Sequence, residues 1–229
     1  MYLEQNLKGL CQKFGIDYLS FLEDFQVESC TEIPLLELEA IAEEYEIDLQ
    51  GLIFKPMFKN EFLSEKIARI KLLILDVDGV MTDGGMYFCE SGDQFKKFNT
   101  KDGMGILEIQ KSNQLQAAII SSAFKGEAVK QRAALLGIER CYVGRDKKLA
   151  VLETWMEEMG LSIDEVAIIG DDVNDLPIIS QCGFSACPSD AVATVKQKVD
   201  VVLTSKGGEG CVRELIDNFL LNTPLGSEF

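Results

Sequence analysis

Apolar positions change rhythm once along this chain. In residues 1–65 they recur at helical spacing, as Leu3, Leu7, Leu10 and Phe14 and again as Leu38, Ile41, Ala42 and Tyr45, the stripe of an amphipathic helix. Gly15, Pro34 and Pro56 punctuate these runs, and Phe54, Phe58 and Phe62, four apart, predict a core or interface stripe. From Ile70 onward short apolar runs alternate with helical patterns. Strands are predicted over 71–75, 115–120, 140–143, 166–169, 183–186 and 199–203, with helices over 104–111, 125–136, 147–159, 176–180, 190–197 and 211–220. Strands separated by helices predict an α/β class: a doubly wound, Rossmann-like parallel sheet over 66–229, preceded by a small all-helical domain over 1–65. One segment, 85–99, breaks the alternation. It reads as a β-hairpin with a turn at Ser91-Gly92-Asp93. Met86 and Phe88 face one side and Tyr87 and Cys89 the other, so both faces carry apolar groups and ask for a cover such as another subunit.

The run Leu72-Leu73-Ile74-Leu75 suits a strand covered on both faces, and it ends abruptly in Asp76-Val77-Asp78-Gly79. Alternate residues of an extended chain point the same way, so Asp76 and Asp78 would project together and need a cation or a proton between them. Alone, the stretch also fits a polar strand end with a turn at Asp78-Gly79. Other signals fall where strand ends are expected: Ser121 after Ile119-Ile120, Lys148 at a helix start, and Asp171, Asp172 and Asp175 after Val166 to Ile169. In such sheets the site lies beyond the carboxyl ends of the strands. Five carboxylates converging there would repel one another without a hard cation, and an all-oxygen ligand set suits Mg²⁺.

Charge and composition narrow the chemistry. A formal charge of −16 over 229 residues argues against a nucleic-acid or anionic-membrane surface. No apolar run reaches the roughly 20 residues that span a bilayer, and Glu4 and Gln5 stand where a secretory signal would be basic, so a cytoplasmic location is expected. Seven cysteines without a C-x-x-C read as small core residues in a reducing compartment. With no histidine in the chain, acid–base work falls to carboxylates, lysine or tyrosine.

Together, Asp76-Val77-Asp78-Gly79-Val80-Met81-Thr82, Ser121, Lys148 and Gly170-Asp171-Asp172-Val173-Asn174-Asp175 resemble the four motifs of the haloacid dehalogenase superfamily of phosphatases. Thr82-Asp83-Gly84, the hairpin, the stretch from Phe98 to Ile106 and Gly207-Gly208-Glu209-Gly210 resemble its capless branch. That branch holds 3-deoxy-D-manno-octulosonate 8-phosphate phosphatase and its relatives acting on nine-carbon sugar acids. The resemblance covers Ile70 to about Leu220. It implies an Mg²⁺-dependent phosphomonoester hydrolase acting on a phosphorylated sugar acid. Asp76 would be the nucleophile that forms an aspartyl-phosphate and Asp78 the acid and base. Ser121 and Lys148 would hold phosphoryl oxygens, and the metal would bind Asp76, the Asp78 carbonyl and Asp171. Asp172 and Asp175 would orient Lys148 and metal-bound water. The resemblance also implies substrate contacts from Asn99, Thr100, Lys101, Asp102, Gly103 and Arg132, and a homotetramer packed through the hairpin. By position Leu107 and Ala123 stand where octulosonate phosphatases carry arginine.

The order of the N-terminal helices, with Glu37 to Tyr45 followed by Ile47 to Ile53, resembles, weakly, a helix-turn-helix domain of the lambda-repressor type. Acids there far outnumber Lys8, Lys13, Lys55 and Lys59, the wrong sign for phosphates and base edges. A partner-docking module is the better reading of these helices, and a non-catalytic assembly or regulatory role is the alternative for the whole chain. A receiver domain would carry its phosphoacceptor on a later strand, and no Gly-Lys-Ser/Thr supports a P-loop.

Overall fold

This computed structural model describes residues 2–45, 47, 49–54, 61–90, 94–111, 115–123 and 125–221. They fall into two compact units, residues 1–63 and 64–229.

In the first unit, helices α1 (Leu3–Phe14), α2 (Tyr18–Asp24), α3 (Leu35–Glu44) and α4 (Leu49–Phe54) surround one core. Leu7, Leu10, Phe21, Leu22, Ile41 and Leu52 are buried in it, as the helical spacing predicts. Gly15 ends α1 in the left-handed conformation, and the Asp17 carboxylate caps α2 by accepting the Ser20 N–H at 2.9 Å. Buried Asn6 donates to the carbonyls of Gly51 and Leu52, at 3.2 and 2.9 Å, and so ties α1 to α4. Phe14 departs from the expected core stripe: it is 49 % exposed and rests its ring on Tyr45 in the last turn of α1. Phe54 is exposed as well, and Pro56 with the side chains of Phe58 and Phe62 lies outside the described residues. Of the stretches that carry the helix-turn-helix likeness, Glu37 to Tyr45 falls at α3 and Leu49 to Ile53 on α4, and a 3₁₀ turn of three residues, Cys30–Glu32, lies between α2 and α3.

The second unit opens with α5 (Glu61–Ile67), which spans the boundary between the units. Its strands are β1 (Leu72–Leu75), the hairpin pair β2 (Tyr87–Phe88) and β3 (Gln94–Phe95), β4 (Gln116–Ser121), β5 (Cys141–Val143), β6 (Val166–Ile169), β7 (Phe184–Cys187) and β8 (Val201–Val202). Six of them form a parallel sheet in the order β5-β4-β1-β6-β7-β8. β1 is followed in sequence by strands on one side and then, from β6, by strands on the other, so the order reverses between β1 and β6. Every residue of β1 and β6 is buried, the doubly covered state that their unbroken apolar runs require. The intervening helices are α6 (Thr100–Lys111), α7 (Glu127–Leu135), α8 (Lys148–Met159), α9 (Leu176–Ile179), α10 (Ala193–Lys196) and α11 (Cys211–Leu215), the last continued by a π-type turn to Leu220.

Of the differences from the pattern-based bounds, two have a local reason. α6 begins at Thr100 rather than 104, because Asn99 Oδ1 accepts the Lys101 N–H at 2.8 Å and starts the helix. β8 is shorter than 199–203, because Asp200 turns its carboxylate to the N–H and hydroxyl of Ser185, at 2.9 and 3.1 Å, and to Lys66 at 2.5 Å. The hairpin forms, its turn at 91–93 lying outside the described residues. Met86, Tyr87, Phe88 and Phe95 are all exposed.

Candidate active site

β1 and β6 run in register, Leu75 beside Ile169, so both release their chains at one level of the sheet. The Asp76 N–H donates to the Ile169 carbonyl at 3.1 Å, which carries the ladder one residue past the strand. The backbone then turns at Gly79, whose φ of 88° is a left-handed value that glycine alone takes without strain. A Cβ added to Gly79 would fall 2.1 Å from Asp171 Oδ2. The turn after β1 thus leaves its space to the carboxylate after β6.

Lys148 enters from the first residue of α8. Its ammonium lies 2.8 Å from Asp76 Oδ1 and 2.7 Å from Asp175 Oδ1, and all three side chains are buried. Asp175 is fixed from its other oxygen by the N–H groups of Asp171 and Asp172, at 3.2 and 3.4 Å. Burial alone would push the Lys148 ammonium down, but Asp76 and Asp175 outweigh it and its pKa is raised. For Asp76, burial and the neighbouring Asp175 raise the carboxyl to about 7 against the pull of Lys148. Burial, then Asp76, Asp175 and Asp172, raise Asp171 to about 8.

These carboxylates suit a hard cation. Oxygens of Asp76, Asp171 and Asp175 lie within 4.8 Å of one another, and Asp171 Oδ1 is a buried acceptor with no hydrogen-bond partner. Three carboxylates against one ammonium leave two charges uncompensated, which a divalent cation balances. Of the set the resemblance implies, Asp76, the Asp78 carbonyl and Asp171, the acidic cluster contains Asp76 and Asp171, with Asp175 as its third member. The Asp78 carboxylate accepts from Lys96 Nζ.

Asp76, Asp78, Asp171 and Asp172 line a cavity of roughly 260 Å³ together with Lys96, Ser122 and Ala123. Lys96 was missed from the sequence; strand alternation would have set it apart from its neighbour Lys97. Ser121 is buried at the end of β4, and its hydroxyl accepts the Ala123 N–H at 3.2 Å. Ser122 is the hydroxyl lining the cavity, bonded to Asn174 Nδ2 at 3.3 Å. Asp172 does not orient Lys148: it is exposed and accepts the Val173 N–H at 2.7 Å, because Asp175 takes the ammonium.

In the segment expected to bind substrate, several side chains also make contacts within the fold. Asp102 is buried on the Arg213 N–H at 2.8 Å, and burial raises its carboxyl to about 6. Arg132 donates to the Asn99 carbonyl at 3.0 Å, and its guanidinium fills the space a side chain on Gly103 would take. Asn99 donates to the Gly208 carbonyl at 3.2 Å. Thr100 and Lys101 are exposed in the first turn of α6. None of these six lines the cavity of the single chain.

Residues 142–215 match the model of the haloacid dehalogenase-like hydrolases. A 3-deoxy-D-manno-octulosonate 8-phosphate phosphatase of Salmonella typhi is 39 % identical over 156 residues, covering 68 % of this chain and 82 % of that protein. The crystal structure of the same-named phosphatase from Yersinia pestis superposes with a TM-score of 0.67 at 37 % identity, covering 70 % of this chain and 85 % of that one. The Moraxella catarrhalis phosphatase, solved with magnesium, phosphate and a KDO molecule, superposes with a TM-score of 0.66 at 32 % identity, covering 69 % of this chain and 90 % of that one. A buried carboxylate cluster at the reversal of a parallel sheet, with relatives this similar over most of their length, makes the chain a phosphatase of the haloacid dehalogenase-like hydrolase family.

Proposed function

We propose that the chain hydrolyses the phosphomonoester of a sugar acid, of the 3-deoxy-D-manno-octulosonate 8-phosphate type or its nine-carbon counterpart. The observation that carries the reading is the buried Asp76–Lys148–Asp175 group with the orphaned Asp171 oxygen beside it, opening into one cavity. Asp76 attacks phosphorus in line: an Asp76 oxygen–phosphorus bond forms, the bond to the sugar oxygen breaks, and Asp78 gives that oxygen its proton. Water then attacks the aspartyl-phosphate, Asp78 takes a proton from it, and phosphate leaves with Asp76 regenerated. Lys148 and Ser121 hold the phosphoryl oxygens, and Asp175 holds Lys148. Asp76, Asp171 and the Asp78 carbonyl would hold Mg²⁺, which supplies countercharge to the phosphoryl oxygens.

A non-catalytic assembly role is not favoured, since it gives no reason to bury two carboxylates against a single lysine with a third carboxylate beside them. The exposed apolar residues on both hairpin strands support a homotetramer packed through residues 85–99. Seven cysteines without a disulfide suit the reducing cytoplasm.

The test is phosphate release with Mg²⁺ across a panel of phosphorylated sugars and sugar acids, wild type against Asp76→Asn. Turnover confined to wild type, best on the sugar-acid phosphates, is expected. Residual turnover in Asp76→Asn removes it as nucleophile, and preference for a neutral sugar phosphate removes the substrate class.

A further inference from the structure

Among the described residues Lys96 is the one cation lining the cavity, and it does not stand free. Its side chain is only 9 % exposed, although it follows the short strand β3 on a hairpin whose apolar residues are open to solvent. Its ammonium donates to Asp78 Oδ1. Asp78 is the least buried of the acids that the proposed reaction uses, its side chain 42 % exposed. Among the described residues no other side chain holds its carboxylate. A carboxyl group on a turn residue rotates about two side-chain bonds, and proton transfer to a leaving oxygen works only from hydrogen-bond distance.

We infer that Lys96 is a positioning residue: by holding Oδ1 of Asp78 it fixes the direction of the carboxyl group and leaves Oδ2 to face the oxygen of the leaving sugar. The hairpin thereby becomes part of the catalytic apparatus, because the lysine that sets the acid is carried on it. Lys96 exchanges no proton and makes no bond in either step. The inference rests on the proposed role of Asp78 as acid and base, and the experiment separates the two.

The effect to read is dependence on the leaving group. A sugar alkoxide or phenoxide needs a proton as it departs, whereas 4-nitrophenoxide leaves without one. Steady-state kinetics with Mg²⁺ on 3-deoxy-D-manno-octulosonate 8-phosphate, phenyl phosphate and 4-nitrophenyl phosphate would compare wild type, Lys96→Met, Lys96→Arg and Asp78→Asn. For Asp78→Asn the loss in kcat on the first two exceeds that on 4-nitrophenyl phosphate by about a hundredfold, the lower end of what general acid catalysis supplies. Lys96→Met shows the same selectivity at about tenfold, in kcat rather than KM, and Lys96→Arg restores most of it. A Lys96→Met loss confined to KM, or equal on all three esters, with Asp78→Asn still selective, overturns the positioning role and leaves Asp78 as the acid. Equal losses in Asp78→Asn overturn the role of Asp78 and this inference with it. A wild type that turns over none of the esters removes the proposed reaction altogether.

Discussion

Three carboxylates and one ammonium meet where β1 and β6 end, and their charges do not cancel. Burial and mutual repulsion hold Asp76 at about 7 and Asp171 at about 8, whereas in an unfolded chain both would titrate near 4. The metal-free folded protein therefore binds protons at neutral pH that the unfolded chain has released. By linkage these two groups contribute stability that is fully present below pH 4 and is lost as pH rises through 7 and 8. A divalent cation must displace those protons. The apparent Mg²⁺ affinity measured by calorimetry should accordingly rise from pH 6 to pH 8, by up to about tenfold per unit for each proton released, and level off above. Affinity that is flat over that range would mean the carboxylates are already ionised without the metal. Asp171→Asn gives the complementary result: it removes a repelling charge and a ligand together. The metal-free melting temperature at pH 8 should rise, and the increase that Mg²⁺ gives the wild type should disappear. A drop in the metal-free melting temperature would show that Asp171 stabilises the apoprotein after all.

The turns joining these elements depend on glycine where atoms crowd. Gly207 packs on the turn after β1 so closely that an added Cβ would lie 2.0 Å from the Gly79 carbonyl oxygen, and backbone cannot yield as a flexible side chain can. Its loop is anchored at several points: Asp190 accepts the Gly207 N–H at 3.0 Å, and the Gly208 N–H donates to the Val80 carbonyl at 2.9 Å. Gly207→Ala must therefore displace the turn that carries Asp78. A fall in kcat of about tenfold or more is expected from a shift on the order of 1 Å in the reacting groups. Gly160→Ala is the comparison: the residue ends α8 at φ 65° with nothing within 4 Å, so it should cost about 1 kcal/mol of stability and leave kcat unchanged. Equal kcat in both variants would deny Gly207 its hold on the site. The strand ends themselves were legible in the sequence, since four apolar residues followed by an acid leave little else for Asp76 or Asp171 to be. Asp102 was not legible in the same way. A carboxylate in the first turn of a helix looks available to a ligand, and only the fold shows it buried against the N-terminal end of α11. Lys96 stayed hidden for the opposite reason: in a hairpin of exposed residues a lysine looks like a solvated charge until the turn after β1 is brought beside it.

At the scale of the whole molecule, the described residues that line the cavity all lie at or beyond Asp76, while residues 1–63 close a core of their own around Leu7, Leu10 and Leu52. Catalysis and assembly should both survive loss of the helical unit, but where the chain is cut matters. Lys66 pairs with Asp200 at 2.5 Å, and Asp200 in turn holds Ser185 in β7. Ile67, next along α5, is buried. A chain starting at Ser64 keeps both residues. It should be soluble, match the full-length kcat/KM within about twofold because no lining residue is lost, and run as a tetramer by light scattering, since the hairpin is intact. A chain starting at Ala68 loses Lys66 and Ile67 together. It should be less stable by about 2 kcal/mol from the lost isoleucine burial alone, visible as an earlier urea midpoint. If the longer of the two fragments is insoluble or inactive, the helical unit completes the phosphatase core rather than standing beside it. If both fragments share one midpoint, the link from α5 through Asp200 to β7 holds nothing, and the sheet is self-sufficient from β1 onward.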